Sequence, residues 1–360
     1  MSAGRAVVGG LDFYGYNRRI RDGFRGEGWD CDTINIWFPI YDRRFLSHLL
    51  FGVLPRKLSI RWPLEAAWRH ARRRFVDAVL RSEFDLLLLI RPDLLTAADL
   101  ETIQRARPRA VIACWLMDSL AYHPRFLESL DGIDRVFTFD AADLPSLREV
   151  HPQVRYLPLA FDPADYRPSP TPPKPRWRVS FIGAPHADRL ALLEHLCSEL
   201  NLGPGDVRFV IGAWKVLPVI GRRVLNRRSW LFRDGFLDME STDHTACQDI
   251  YHGSEVCLNI HQPFNPRILR GFNMRVFEVC GAGGFQVVEH LDRLNDAFPE
   301  GEALWTYNDA DSMVRVVREA LADPEERRRT AARGAEHAHA HHTFRHRVKA
   351  ITEFCSGGRQ

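Results

Sequence analysis

The sequence has no long apolar run, no Cys-x-x-Cys pair and no internal repeat. No apolar stretch approaches the roughly 20 residues that a helix needs to cross a bilayer, so we predict no membrane-spanning segment. The seven cysteines are an odd number and lie mostly in apolar runs, which is typical of reduced core cysteines in a cytosolic protein. A predicted strand begins close to the N-terminus, so we expect no signal peptide and a cytoplasmic or peripheral protein.

Neither sign of charge dominates the sequence. Lys and Arg number 49 against 46 Asp and Glu, and the net charge of +3 is too weak to predict a nucleic-acid partner. The basic residues are nevertheless concentrated in two segments, 43–75 and 215–233, which are rich in aromatic residues and contain a single acid, Glu65. Such segments favour an anionic membrane surface at the inner face of the plasma membrane. The alternative is a pair of amphipathic helices that bury their tryptophans and leave the arginines in solvent.

The chain, 360 residues long, alternates short apolar runs with amphipathic stretches, which predicts an α/β fold with parallel sheets. Predicted strands cover 5–10, 33–37, 85–90, 110–116, 135–139 and 154–160, then 179–183, 207–212, 256–261, 285–288 and 303–307. Six prolines between Pro163 and Pro175 predict a stiff linker at 163–177. We therefore predict an N-terminal Rossmann-like domain over 1–162, a second over 178–343, and C-terminal helices over 311–322, 324–341 and 344–354.

Residues 272–289 form the most informative stretch of the second domain. Apolar residues at helical spacing predict a short helix that begins near Phe272 and ends at Gly281 and the pair Gly283-Gly284. The β-branched run 285–288 then predicts a buried parallel strand. Helix and strand should therefore meet at a tight glycine turn.

The start of this helix has the residues of a nucleotide site. Gly271 allows a ligand to approach the backbone, and the free N–H groups of the first helical turn can bind an anion, with Arg275 beside them and Arg267 nearby. Glu278 lies one turn further along and is placed to accept hydrogen bonds from vicinal hydroxyls, as an acidic residue does on a ribose. An anion site and a ribose site together predict a nucleotide. The alternative for Glu278 is a solvated helix acid.

Other candidates follow predicted strands, because ligands of open parallel sheets bind beyond the carboxyl ends of the strands. Gly183 ends one strand and is followed by a helix that carries Arg189; the alternative is a simple strand-to-helix turn. Asn259 and His261 alternate at the end of another strand and could contact hydroxyl or phosphate groups of the ligand. A hydrogen-bonded core histidine is the alternative for His261. In the histidine-rich segment 337–346 we expect a solvated face, with His342 alone recruited to the site.

The first domain offers two acids. Asp12 lies in the loop after the first strand and is a candidate for contact with a substrate hydroxyl, or an ordinary turn residue. Asp118 follows the fourth strand in the run Trp115-Leu-Met-Asp118 and is a candidate general base for an attacking hydroxyl. A helix N-cap is the alternative for Asp118. No acid ends the second strand to hold a ribose, so we expect this domain to bind a second substrate and not a cofactor.

Two further patterns resemble metal sites, but neither predicts one. Asp30-Cys-Asp32 matches a metal-binding Asp-x-Asp, yet it precedes the second predicted strand, at the wrong end of the sheet. Pairs of histidines at i,i+4 in 337–346 have no acidic or cysteine partner to complete a tetrahedral set. We therefore predict neither a metal ion nor a cofactor.

The motif Arg275-x-Phe277-Glu278, its glycine turn and the strand after it resemble the C-terminal half of GT-B glycosyltransferases, in particular the CgeB-like spore-maturation group. Further landmarks of that group occur in the same order. These are Phe181-Ile-Gly183 with Arg189, Ile211 to Trp214, Cys257 to His261, and His342-Thr343 with Arg347. The resemblance implies two Rossmann-like domains with a cleft between them, and a last helix, 344–360, that returns to the first domain. Retaining relatives often carry a second Glu eight residues before the ribose Glu, where this chain has Arg270, so inversion and retention both stay open.

We therefore expect a metal-independent glycosyltransferase that moves a sugar from a UDP-, GDP- or dTDP-linked donor to an acceptor hydroxyl. The acceptor would be a glycan, a lipid-linked molecule or a protein. The process would be cell-surface glycan or glycoconjugate synthesis. Two alternatives use the same plan of two Rossmann-like domains. One is a nucleotide-sugar epimerase, which would isomerise the sugar nucleotide without an acceptor. The other is a non-catalytic module that binds a nucleotide sugar without turnover.

Overall fold

The computed structural model describes residues 3–12, 15–36, 62–121, 123–171, 173–211, 229–238, 242–261 and 271–356. Our predictions for Arg267 and for most of the two basic segments lie outside these residues. The chain divides into two compact units, one formed by Met1–Pro158 with Phe344–Gln360 and the other by Leu159–Thr343. None of the described helices is both long enough and apolar enough to cross a membrane.

The first unit contains a six-stranded parallel sheet in the order β2-β1-β3-β4-β5-β6. Its strands are β1 (Arg5–Gly10), β2 (Asp30–Asn35), β3 (Leu86–Ile90), β4 (Val111–Leu116), β5 (Arg135–Thr138) and β6 (Val154–Tyr156). Its helices are α1 (Tyr16–Gly26), α2 (Trp62–Arg81), α3 (Ala97–Ala106), α4 (Leu144–Val150) and the C-terminal α12 (Phe344–Cys355). The fully buried runs of β3 and β4 lie at its centre, as expected for interior parallel strands.

The second unit repeats this plan with the strand order β12-β11-β10-β7-β8-β9. Its strands are β7 (Trp177–Ile182), β8 (Val207–Val210), β9 (Leu237–Asp238), β10 (Ser254–Asn259), β11 (Gln286–Glu289) and β12 (Trp305–Tyr307). Its helices are α5 (Ala187–Glu199), α6 (Trp230–Arg233), α7 (His244–His252), α8 (Met274–Ala282), α9 (Leu294–Ala297), α10 (Ala310–Ala322) and α11 (Pro324–His341). The predicted fold class, two tandem α/β units with parallel sheets, is confirmed.

Some boundaries differ from the predictions. The prediction that strand two begins at Thr33 is wrong, because β2 begins at Asp30. Being an edge strand, β2 exposes both acids of Asp30-Cys-Asp32 and has no continuous apolar run that marks its start. The first strand has the predicted bounds, since β1 ends at Gly10. A Cβ atom at Gly10, whose φ is +127°, would overlap the carbonyl oxygen of Ile90 on the neighbouring strand.

The stretch that contains α8 has the predicted helix, turn and strand, with one correction. Gly281 does not end the helix but lies in its last turn, where a Cβ atom would overlap the ring of Phe161. The helix ends at Gly283, which adopts the left-handed conformation (φ 76°) of a glycine C-cap. Part of the proline-rich segment packs in the same unit, since Tyr166 is buried and its hydroxyl lies 2.7 Å from Nδ1 of His244.

Candidate functional site

No side chain among the residues that the structure describes caps the N-terminus of α8. Its N-cap residue Asn273 is extended, and its side chain makes no capping hydrogen bond. The amide instead pairs with Asn259 at the end of β10: Asn273 Nδ2 donates to Asn259 Oδ1 over 2.8 Å, and Asn259 Nδ2 donates to Asn273 Oδ1 over 3.1 Å. This pairing fixes the end of β10 against the start of α8. It also leaves the first-turn N–H groups, the positive end of the helix dipole, without the asparagine that usually covers them.

His261 lies beside this helix end and is buried. Its Nε2 accepts a hydrogen bond from the backbone N–H of Asn273 over 3.4 Å, so a neutral ring must carry its proton on Nδ1. Burial, with the charges of Arg189 and Arg275, lowers the pKa of His261 to about 3, so the ring is neutral at pH 7. Nδ1 is buried and has no hydrogen-bond partner among the residues that the structure describes. A buried donor therefore lies close to two arginines and a helix N-terminus.

Arg189 reaches the same region from α5. It is buried, and its two terminal nitrogens donate to the carbonyl oxygens of Ala184, over 3.3 Å, and Ile260, over 2.9 Å. Arg189 therefore ties the turn after β7 to the residue before His261. In that turn, a Cβ atom at Gly183 would overlap the ring of Phe181, so the glycine is required by packing. Gly271, before α8, is also buried.

Arg275 and Glu278 lie one turn apart on α8. Arg275 is half-buried, and within the described part of the chain its guanidinium makes no hydrogen bond or ion pair; its carbonyl oxygen accepts from Gln286 Nε2 over 3.1 Å. Glu278 is buried, not solvated. Both residues influence Cys247 on α7: burial raises the pKa of that thiol to about 11, with Glu278 raising it further and Arg275 opposing. A carboxylate and a guanidinium thus share one face of α8.

His342 occupies an aromatic cluster. Its ring lies 4.7 Å from that of Phe298 and 5.4 Å from that of Phe277, and its Nε2 lies 2.7 Å from the carbonyl oxygen of Ala297. His337 Nε2 approaches the same oxygen at 2.7 Å. Both rings therefore donate from Nε2 to one carbonyl. Neither His337 nor His342 is part of a solvated helix face.

In the first unit, Asp118 has two partners that the sequence analysis missed. Asp118 Oδ2 lies 3.7 Å from a terminal nitrogen of Arg91 and 3.5 Å from Nε2 of His123. Arg91 follows β3 in the left-handed conformation (φ 67°) and holds Asp93 through two hydrogen bonds of 3.0 and 2.9 Å. The ring of His123 stacks on Phe126 at 5.0 Å. The rule that selected Asp118, a position just after a strand, applies equally to Arg91.

Asp143 supports the segment after β4. It is buried and accepts from the backbone N–H of Leu120 over 2.9 Å and from the hydroxyl of Ser119 over 3.2 Å. Burial raises the pKa of Asp143 to about 6, and the hydrogen bond from Leu120 opposes that shift. Asp143 therefore fixes the residues between Asp118 and His123. The sequence signal for it was weak, because it lies in a short turn after β5.

Asp12 joins a small polar network at the carboxyl ends of β1 and β2. Its Oδ1 accepts from the backbone N–H of Asn17 over 3.1 Å, and its Oδ2 accepts from Asn35 Nδ2 over 3.4 Å. Asn17 Nδ2 in turn donates to Asn35 Oδ1 over 2.9 Å. Asp12 thus links the start of α1 to the end of β2, and the carboxyl edge of this sheet is rich in groups that pair with hydroxyls.

The remaining candidates make ordinary surface contacts. Asp30 lies 3.6 Å from Arg5, and Asp32 lies 3.2 Å from Arg25. The described residues contain no group of three or more His, Cys, Asp or Glu side chains placed to hold a metal ion. On α2, Trp68 packs against the core while three arginines in the part of the helix that belongs to the basic segment 43–75 are exposed. These exposed residues are Arg69, Arg73 and Arg74.

Comparison with known proteins finds similarity to glycosyltransferases in both sequence and structure. Residues 192–353 match the family model described as "Glycosyl transferase-like". A sucrose-phosphate synthase from Thermosynechococcus elongatus is 16% identical, with 98% of each chain covered and a TM-score of 0.63. An α,α-trehalose 6-phosphate synthase from Burkholderia multivorans is 12% identical, with 99% of each chain covered and a TM-score of 0.62.

A third similar structure is HepE from Anabaena in complex with UDP and glucose. It is 11% identical, covers 98% of this chain and 100% of its own, and has a TM-score of 0.64. No curated protein sequence matches the chain. At these identities the structural likeness establishes the fold: the chain has the GT-B glycosyltransferase fold.

Proposed function

We propose that this protein is a glycosyltransferase that moves a sugar from a nucleotide-diphosphate sugar to an acceptor hydroxyl. The observation that carries the proposal is the arrangement at the start of α8. There a helix N-terminus that its own N-cap side chain does not cap, the buried Nδ1–H donor of His261 and the guanidinium of Arg275 occur together. All three favour an anion, and a diphosphate is the anion that the leaving group of such a donor carries.

The same groups supply the catalysis that we propose for the donor side. Breaking the bond between the sugar and the β-phosphate leaves negative charge on the diphosphate. Fixed N–H groups, a neutral imidazole donor and Arg275 stabilise this charge without reorganisation and without a metal ion. Arg189 adds positive charge and holds the loops on both sides. Arg267 belongs to the proposal on sequence grounds alone.

Glu278 is proposed to bind the ribose. It is buried one helical turn beyond Arg275, which suits a nucleoside whose diphosphate lies at the helix N-terminus. A carboxylate has the acceptor oxygens for two vicinal hydroxyls. Asn259, paired with Asn273, holds this end of β10 in place, and His342 packs behind the helix against Phe277.

We assign the acceptor to the first unit, in agreement with the function predicted for Asp118 and Asp12. Both acids lie just after strands of the parallel sheet, where ligands of this architecture bind. We also propose that the protein belongs to the CgeB-like group, takes part in cell-surface glycan synthesis and binds peripherally to an anionic membrane. The exposed arginines of α2 support the last of these.

The donor site can be tested by a binding panel of UDP, GDP, dTDP and CMP, each with EDTA and with Mg²⁺, read as the thermal unfolding midpoint. A ligand that binds only the folded state stabilises it by RT ln(1 + [L]/Kd). HepE from Anabaena was also solved with UDP-glucose, so UDP is the first ligand to examine. We expect one nucleoside diphosphate to raise the midpoint in EDTA. A midpoint that none of the ligands raises would contradict the proposal.

A further inference from the structure

Tyr251 on α7 has a buried hydroxyl that the proposed function does not use. The residue is 3% exposed, and its hydroxyl has no hydrogen-bond partner among the residues that the structure describes. Such groups are rare, because a buried polar atom without a partner destabilises a protein. The ring is held in place, since its centre lies 6.1 Å from that of Tyr166, whose own hydroxyl lies 2.7 Å from Nδ1 of His244. The Tyr251 hydroxyl is therefore a fixed donor that can pair with a nearby acceptor.

The packing of α7 against α8 brings this hydroxyl toward Glu278. Each helix connects two parallel strands of one sheet, so the two run in the same direction, and His252 Nε2 lies 2.8 Å from the carbonyl oxygen of Ala282 at their C-terminal ends. Glu278 lies four residues before Ala282, roughly 6 Å back along α8. Long side chains on a helix lean toward its N-terminus, so the Tyr251 ring extends back along α7 in the same direction. The two helices therefore place the Tyr251 hydroxyl near the level of the Glu278 carboxylate.

The electrostatics of Tyr251 agree with this placement. Burial raises the pKa of Tyr251, and Cys247 and Glu278 raise it further. Arg275, one turn before Glu278, opposes the shift. Burial also raises the pKa of the Cys247 thiol to about 11, so this thiol is neutral at pH 7. Because a phenol donates most strongly to an ionised acceptor, the carboxylate of Glu278 is the acceptor that suits Tyr251 best.

We propose that Tyr251 is a positioning residue for Glu278 and donates a hydrogen bond to its carboxylate when a nucleotide is bound. The inference rests on the proposed function, in which Glu278 accepts hydrogen bonds from two ribose hydroxyls. A carboxylate has about four lone-pair sites, so acceptor capacity remains after the ribose has bound. The hydroxyl of Tyr251 occupies one of these sites from the protein side and fixes the plane of the carboxylate.

This role separates the effect of the hydroxyl on stability from its effect on affinity. Removal of the Tyr251 hydroxyl takes away no hydrogen bond that the described part of the chain makes. It does take away the proposed bond to Glu278 in the nucleotide complex. A tyrosine that only fills the core would show neither a loss of affinity nor a dependence on Glu278.

The test uses the full chain and measures affinities for UDP and GDP by calorimetry, and stability without nucleotide by urea unfolding. Tyr251→Phe keeps the ring and removes the hydroxyl. It should weaken the nucleoside diphosphate that the wild type binds by about 10-fold, because a hydrogen bond to a charged group is lost. Its urea midpoint should equal or exceed that of the wild type. In a Glu278→Met background the same substitution should change the affinity by no more than about twofold, because the acceptor is absent.

The matched control is Tyr166→Phe. It removes the hydroxyl of a neighbouring buried tyrosine that has a partner, Nδ1 of His244. This variant should lower the urea midpoint, because a hydrogen bond of the folded protein is lost, and leave the nucleotide affinity unchanged. The two tyrosine variants should therefore have opposite patterns of stability and affinity.

The inference is overturned if Tyr251→Phe binds the nucleotide as tightly as the wild type, or if its loss of affinity is equally large in the Glu278→Met background. A clear fall in the stability of Tyr251→Phe without nucleotide would also overturn it, because the hydroxyl would then have a partner in the protein itself. A wild type that binds neither UDP nor GDP contradicts the proposed ribose site, and the role of Tyr251 fails with it. That outcome differs from the others, because in each of them the wild type binds a nucleotide.

Discussion

Glu278 and Arg275 have different proposed ligands, the ribose and the diphosphate, although they lie one turn apart on α8. We expect Glu278→Gln to weaken both UDP and uridine by about 10- to 100-fold, since a hydrogen bond to a charged group contributes roughly 1.5–3 kcal/mol. Glutamine keeps the size of this buried side chain, so the variant should fold. Calorimetric titration gives the affinities.

The matched variant for this pair is Arg275→Gln. It should weaken UDP and leave uridine unchanged, because the nucleoside has no diphosphate for the guanidinium to bind. Unchanged affinity of Glu278→Gln for both ligands would contradict the ribose assignment. Equal losses of UDP and uridine in Arg275→Gln would indicate that Arg275 is a structural residue.

Asp143 predicts a pH dependence of stability. Burial raises its pKa from 3.8 in the unfolded chain to about 6, so the folded state binds this proton more tightly. Its contribution to stability is therefore fully present below about pH 4 and is lost as the pH rises through 6, by about 3 kcal/mol in total. Asp143→Asn should remove this part of the pH dependence while still accepting the N–H of Leu120.

Urea unfolding of wild type and Asp143→Asn at pH 4 and pH 7 measures the effect. From pH 4 to pH 7 the free energy of unfolding of Asp143→Asn should rise relative to that of the wild type, because only the wild type loses the contribution of Asp143 over this range. A constant difference across this range would show that Asp143 is ionised with its ordinary pKa in the folded state.

The individual site residues show what sequence position can and cannot predict. Asp118 and Glu278 were found because each occupies a recognisable place, after a strand or within a helix motif. Arg91, His123 and Asp143 were missed although the first two contact Asp118 and the third holds the residues that follow it. They come from segments separated by up to 52 residues in the sequence numbering, and only the order of β3, β4 and β5 in the sheet brings them together.

At the scale of elements, α8 depends on close packing at its C-terminal end. Gly281→Ala should destabilise the protein by about 1–3 kcal/mol, because the added methyl group overlaps the Phe161 ring and forces it to move. Gly205→Ala is the matched control, since nothing lies within 4 Å of the position of its Cβ atom. Chemical denaturation of both variants measures the difference. Equal stability of the two variants would contradict the packing seen around α8.

The elements that were predicted well have strong local signals. Helices α10 and α11 begin after Asp309 and Asp323, whose carboxylates cap the next backbone N–H groups, and Pro324 occupies the first turn of α11. The weaker predictions concern β2 and Gly281. An edge strand with charged residues has no apolar pattern, and a glycine that a helix needs for packing looks the same in sequence as a glycine that ends it.

For the whole molecule, the exposed arginines of α2 predict binding to anionic vesicles. Each basic residue near an anionic leaflet contributes roughly 1 kcal/mol, so replacing Arg69, Arg73 and Arg74 by Glu should greatly reduce co-sedimentation at low salt. Arg72 is left in place because its Nε lies 3.1 Å from Asp99. The wild-type protein should also dissociate at high salt.

A control with the same change in net charge replaces Arg109, Arg125 and Arg148, which are exposed elsewhere on the first unit. It should bind vesicles as the wild type does if the α2 surface is the specific contact. Binding that is indifferent to lipid charge, or equal losses in both triple variants, would contradict the membrane proposal and leave the arginines of α2 as solvated residues.

The central claim is that the chain cleaves a nucleotide sugar at the site formed by α8. The most direct measurement is incubation of the wild type and Glu278→Gln with UDP-, GDP- and dTDP-linked sugars in EDTA, followed by chromatography and mass spectrometry of the products. We predict that the wild type releases free nucleoside diphosphate from one donor and that Glu278→Gln does so much more slowly at the same donor concentration. Isomerised sugar nucleotide without release, or intact donor that binds without turnover, would contradict the claim.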